Sequence, residues 1–198
     1  MNRKIGAYSS GVNLAAVACF ALSMLLGFNG GSYFSSMFIA FSFVAMMCGY
    51  AYFAGEERKL AGYLAAAFAG MYAAIVLLVY FAQLTTVRLD GLDGQAALLL
   101  DFQQGGLMFS YDLLGYALMA LATFFAGLTI LPRGRGEKWL KRLLTVHGVF
   151  FFSCLGFPML GLFRADSPPW IGVAALEFWC VYFCPIDVLS LLYFRNRP

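Results

Sequence analysis

Long apolar stretches alternate with short polar gaps along almost the whole chain. An α-helix needs about 20 mostly apolar residues to cross ~30 Å of hydrocarbon. On that scale the pattern predicts six spans, at 5–28, 33–54, 61–85, 107–131, 143–163 and 170–194. The expected fold class is all-α: a polytopic integral membrane protein whose residues 1–198 form a single six-helix transmembrane domain. One connection, 86–106, is long, and within it Leu98, Leu99 and Phe102 recur at helical spacing. That spacing predicts a short helix lying on the membrane face. Asn29-Gly30-Gly31 reads as a tight turn between the first two spans. Pro168-Pro169 reads as a sharp boundary between the last two.

The basic residues fall in alternate gaps. Arg3, Lys4, Arg58, Lys59, Arg133, Arg135, Lys138, Lys141, Arg142, Arg195 and Arg197 share one side of the expected bundle, and Arg88 and Arg164 share the other. Cytoplasmic loops attract Lys and Arg. The expected topology is therefore multi-pass in a cell (inner) membrane, with N- and C-termini cytoplasmic and 86–106 outside. Arg3-Lys4 before an apolar run also resembles a signal peptide. The run exceeds an ordinary signal core and carries no small-x-small cleavage site, so a retained first helix is expected.

Composition removes the soluble alternative. The chain is 62% hydrophobic and only 12% charged, with a mean hydropathy of +0.79. A soluble fold of 198 residues needs more polar surface than this. The net charge of +3 sits in short patches at helix ends, where lipid headgroups meet it. With no basic groove or recognition motif, no nucleic-acid partner is expected. Cys19, Cys48, Cys154, Cys180 and Cys184 all lie inside apolar stretches, as packing residues do, rather than as a disulfide framework.

Small residues repeat every four positions in span one (Gly11, Ala15, Cys19, Ser23) and span three (Gly62, Ala66, Gly70, Ala74). Such stripes let helices approach closely, here within the chain or between copies.

The candidate chemistry lies in spans three to six. Glu177, Cys180, Cys184 and Asp187 occupy one stripe of span six, interrupted by Pro185. Carboxyls at membrane depth cost about 2.5–3.5 kcal/mol on insertion scales and turn towards a protein interior or a wet cavity. By depth, His147 and Asn13 approach Asp187, and Asp112, Tyr80 and Gln83 approach Glu177. Two expectations follow. One is a polar path along spans four to six that serves a small solute or ion. The other is a set of structural pairs, His147–Asp187 and Asp112–Glu177, that fix helix registry. No nucleophile elbow, His-Glu motif or Cys-x-x-Cys pair marks catalysis, and no cofactor or metal is expected.

The first functional reading is thus a small membrane protein that binds or translocates a solute or ion. The second is a non-enzymatic accessory or assembly subunit working through helix contacts, with a homo-oligomer or a membrane subunit as partner. The third is an intramembrane lipid-modifying enzyme. Six spans with cytoplasmic termini are similar in outline to the substrate-binding membrane subunits of energy-coupling-factor vitamin transporters. That likeness lies in architecture and includes no shared motif; what it implies is a solute-binding role.

Overall fold

The computed structural model describes residues 1–89, 91–163 and 168–197, apart from the side chain of Pro169. Asp90 in the long loop, Arg164 in the outer-side charge count, the rest of the turn at 164–167, and Pro198 lie outside the described residues. The chain is 83% helical, without strands among the described residues. Its helices are α1 Asn2–Leu25, α2 Asn29–Tyr52, α3 Lys59–Leu84, α4 Gly94–Leu100, α5 Leu107–Thr129, α6 Arg135–His147, α7 Phe150–Met159 and α8 Pro169–Arg195. Among the described residues six segments are long and apolar enough to cross a membrane: α1, α2, α3 with its flanking turns, α5, α6 joined to α7, and α8.

Three local expectations are corrected. The fifth span starts at Arg135 rather than 143 and is broken between His147 and Phe150. Asn29-Gly30-Gly31 opens α2; the turn before it is made by Gly27, whose φ of 67° lets Phe28 N–H return to the Ser23 carbonyl at 2.8 Å. The short helix expected in the long connection exists as α4, capped by Asp93 accepting from the Ala96 N–H at 2.8 Å. Phe102, however, lies beyond its end.

The spans close into a ring. α1 packs on α2 and α8, α2 on α3, α3 on α5, α5 on both α6 and α7, and α6 on α8. Large apolar side chains such as Phe34, Leu78, Phe81, Phe152 and Val181 point outward and are exposed. Water would penalise that surface and hydrocarbon solvates it. The interior is close-packed around Phe43, Met46, Tyr72, Met119 and Phe183.

Glycine contacts set the tightest approaches. The ring of Phe194 in α8 lies against both Gly6 of α1 and Gly49 of α2, where added Cβ atoms would meet it at 2.6 and 3.0 Å. Gly62 of α3 lies on the backbone of α2, so that a Cβ there would meet Ala51 Cα at 2.7 Å. The two sequence stripes make few close approaches within the chain. Ala15 and Cys19 are exposed, and Gly11 has nothing within 4 Å of an added Cβ. In span three only Gly62 makes the close approach, while Gly70 and Ala74 are exposed. Four-residue spacing drifts about 40° per step around a helix of 3.6 residues per turn, so the stripe rotates out of the contact.

One end of the bundle gathers the basic residues. Arg3 Nη1 donates to the Arg197 carbonyl at 3.3 Å, and Arg58 Nη1 to the Leu128 carbonyl at 2.6 Å. Lys141 Nζ donates to the Ile130 carbonyl at 3.3 Å. Arg197 pairs with Glu137 at 3.3 Å and lies 4.0 Å from the centre of the Tyr193 ring. Cations on the last carbonyls of α5 oppose the negative end of its dipole.

Gly62→Ala is expected to lower stability by about 1–3 kcal/mol, since a backbone atom has to move. Gly70→Leu should leave it unchanged within about 0.5 kcal/mol. Thermal unfolding of both variants in one detergent checks the order, and equal losses would contradict this packing.

Candidate functional site

Two polar groups on facing helices build the site. His147 ends α6, and its ring is enclosed by α5 and α8. The Trp179 indole N–H of α8 donates to His147 Nε2 at 3.0 Å. Indole nitrogen can only donate, so Nε2 accepts and the ring proton belongs on Nδ1. Nδ1 is 2.8 Å from Thr123 Oγ1 of α5, whose hydroxyl donates onward to the Ala120 carbonyl at 2.9 Å. Three spans are thereby held by one imidazole.

About three turns further along α5, Asp112 is 4% exposed. Tyr80 of α3 donates to its Oδ2 at 3.0 Å, while its buried Oδ1 has no hydrogen-bond partner among the described residues. The loop side of this carboxyl is closed by aromatic rings. Tyr33 stacks on Tyr80 with ring centres 5.5 Å apart, and Phe102 lies 5.8 Å from Tyr33 and 6.0 Å from Tyr80. Gln83 fixes Phe102 in place: its side-chain amide donates to the Leu100 carbonyl at 2.7 Å and accepts from the Phe102 N–H at 3.2 Å.

Between α5, α7 and α8 lies a cavity of about 220 Å³. Asp112 and His147 both line it, with Tyr116, Phe150, Trp179 and other mostly apolar side chains. Phe157 and Phe178, also in its wall, are exposed, so it opens sideways between α7 and α8. On the loop side an open cleft of about 460 Å³ is lined by Tyr33, Gln83, Arg88 and Asp101. Phe102 belongs to both walls and separates the two spaces.

The structure divides the residues grouped by the sequence. Asp112 and His147 line the cavity, Tyr80 bonds Asp112, and Gln83 lines the cleft. Glu177, Cys180, Cys184 and Asp187 line neither. Glu177 is two residues from Trp179, and about 200° of helical rotation turns it to the opposite flank of α8. It is half-buried there, and its Oε1 has no hydrogen-bond partner among the described residues. Cys180 is buried and Cys184 half-buried, both as free thiols. Asp187 is 0% exposed, with neither oxygen hydrogen-bonded among the described residues. Neither expected pair forms: His147 engages Thr123 and Trp179 instead of Asp187, and Asp112 engages Tyr80 instead of Glu177. Asn13 bonds the Ile39 carbonyl and Ser42 of α2 at 3.0 and 2.8 Å, not α8. α8 runs unbroken through Pro185, which is exposed on its outer flank.

Thr123, Trp179 and Phe102 are site residues beyond the sequence assignment. Trp179 did carry a signal: it lies mid-span, unlike Trp139 and Trp170 near helix ends, and a buried indole N–H requires an acceptor. Thr123 looks like any small residue of a span, and nothing in the sequence ties Phe102 to Tyr80. Among the described residues no three His, Cys, Asp or Glu side chains cluster as a metal site would need. Comparison with known proteins finds no matching family model, no matching curated protein and no matching solved structure. The outline similarity to vitamin-transporter subunits therefore adds nothing to the geometry.

Thr123→Val leaves the Nδ1–H of His147 enclosed without an acceptor and is expected to cost about 1–3 kcal/mol. Asp187→Asn breaks no bond to a described residue and should change stability by less than about 1 kcal/mol. Unfolding midpoints in detergent decide it; a larger loss for Asp187→Asn would mean that the carboxyl holds the bundle together.

Proposed function

We propose that this chain is a multi-pass membrane protein that takes a small, largely apolar solute into the cavity between α5, α7 and α8, within the bilayer. The observation that carries this reading is a largely apolar space, open sideways between α7 and α8, with the Asp112 carboxyl in its wall. The sideways opening between α7 and α8 suits a solute arriving from hydrocarbon. The cleft beyond Phe102 supplies a second space on the loop side, as passage across the protein would require. The enzyme reading has less support. A serine–histidine mechanism needs a free hydroxyl beside a free imidazole nitrogen, whereas Ser153 donates to the Phe150 carbonyl at 3.1 Å and both nitrogens of His147 are occupied. The accessory-subunit reading gains no feature at this site.

The orientation belongs to the same proposal: the basic end faces the cytoplasm, both termini with it, in a cell membrane. A fluorescent protein fused after residue 197 should mature and fluoresce, and alkaline phosphatase inserted at residue 92 should be active. The reverse pattern overturns the orientation.

Trp179 in the cavity wall provides the binding test. With Trp139→Phe and Trp170→Phe it is the sole tryptophan, since the chain has three. Bromobenzene, a small apolar heavy-atom quencher, should quench its emission saturably. Gly172 also lines the cavity, and a Cβ there meets nothing within 4 Å, so Gly172→Leu fills space without a clash and should abolish the saturable part. Quenching that is linear and identical in both proteins would remove the cavity as a binding site.

A further inference from the structure

The lining of the cavity is selective about charge. Eight of its sixteen described lining residues are Phe, Tyr or Trp, one carries a carboxyl, and among them none is Lys or Arg. Three of its other polar side chains are engaged: Trp179 N–H and the His147 ring with each other, and the Ser153 hydroxyl with the Phe150 carbonyl. Tyr80 holds Asp112 Oδ2 and fixes the carboxyl plane, and Oδ1 has no hydrogen-bond partner among the described residues. An anionic ligand would meet a carboxylate with no cation among the described lining residues to offset it. A cation between aromatic rings gains from their quadrupoles, and in a space without water the gain is larger. Its charge would also offset the burial of the acid.

Resting on the binding reading above, we propose that the cavity takes a monovalent organic cation with an apolar body, its ammonium beside the Asp112 carboxyl and its body among Phe109, Tyr116, Phe150 and Trp179. The cation makes no covalent bond. The 220 Å³ volume limits it to a small aryl- or alkylammonium.

The test uses the full chain with Trp179 as sole tryptophan and competition against bromobenzene. Two competitors have nearly the same shape: benzyltrimethylammonium, and neopentylbenzene, in which carbon replaces the charged nitrogen. In the protein with Asp112 intact, benzyltrimethylammonium should restore emission at a concentration at least about tenfold below that needed in Asp112→Asn. Neopentylbenzene should act equally on both proteins, and that equality shows that the cavity of Asp112→Asn is intact. If neopentylbenzene competes and the ammonium does not, the cation inference falls and the binding reading stands. If bromobenzene shows no saturable quenching at all, both fall. If acetophenone, a neutral acceptor, shows the dependence on Asp112 in place of the ammonium, the carboxyl acts as a donor and the proposal is overturned.

Discussion

A polar side chain carried into hydrocarbon leaves behind its usual alternative partner, water, so its bonds must come from the protein or from a bound molecule. That constraint organises this bundle. Asn13 joins α1 to α2 through Ile39 and Ser42, Tyr50 joins α2 to α8 through Ser190 at 2.6 Å, and Tyr182 reaches back to the Leu143 carbonyl at 2.8 Å. His147 spans the widest reach, from Thr123 on α5 to Trp179 on α8. Apolar packing between helices distinguishes poorly among rotations, because lipid tails are as apolar as leucine. These directional bonds choose which face of each helix turns inward. Against that background, the open lone pairs of Asp112 Oδ1 and the two Asp187 oxygens stand out as positions where the protein supplies no bond among its described residues.

Close approach supplies the complementary constraint. Where Gly115 meets Val76, an added Cβ would lie at 2.7 Å, and at Gly127 it would meet Thr145 Oγ1 at 2.6 Å. α5 is therefore pressed against α3 along one side and α6 along the other. The same tight fit makes α5 a rigid rail for Asp112 and Thr123, which lie on it eleven residues apart and each serve one end of the site. A mobile helix could not hold the Tyr80–Asp112 bond and the His147–Thr123 bond in register together.

The number of spans, their order and the gathering of basic residues at one end were legible because they depend on run length and charge alone. Helix faces were less so. The stripe of Gly11, Ala15 and Cys19 has the spacing of an interface yet is mainly exposed, because small residues permit contact without compelling it. Depth counting placed Asp112 near Tyr80 correctly, since both lie within two turns of the loop-side ends of their helices. It failed for His147 and Asp187. Depth fixes one coordinate, and rotation about the axis fixes the other; only the second decides which residues meet. Similarly, Glu177 shares a depth with the cavity but not a direction. No arithmetic on one helix could show that Trp179, two positions away, faces the cavity instead.

The break in the fifth span explains why there is a cavity at all. After α6, the N–H groups of Gly148, Val149, Phe151 and Phe152 bond carbonyls three residues back, at 3.0–3.2 Å. These tighter turns keep the backbone satisfied while departing from a continuous α-helix, the condition for irregular structure at membrane depth. Gly148 permits this against α5, since a Cβ there would lie 2.9 Å from Phe124 Cβ. Beyond the break α7 stays on α5, whereas α8 meets the fifth span through α6. The wedge between α7 and α8 opens on the far side of His147, whose bond to Trp179 marks the last point at which these spans are fastened together. The histidine is then the hinge pin of the wedge, with both ring nitrogens engaged, and the open part keeps Asp112 as the one carboxyl among its described lining residues.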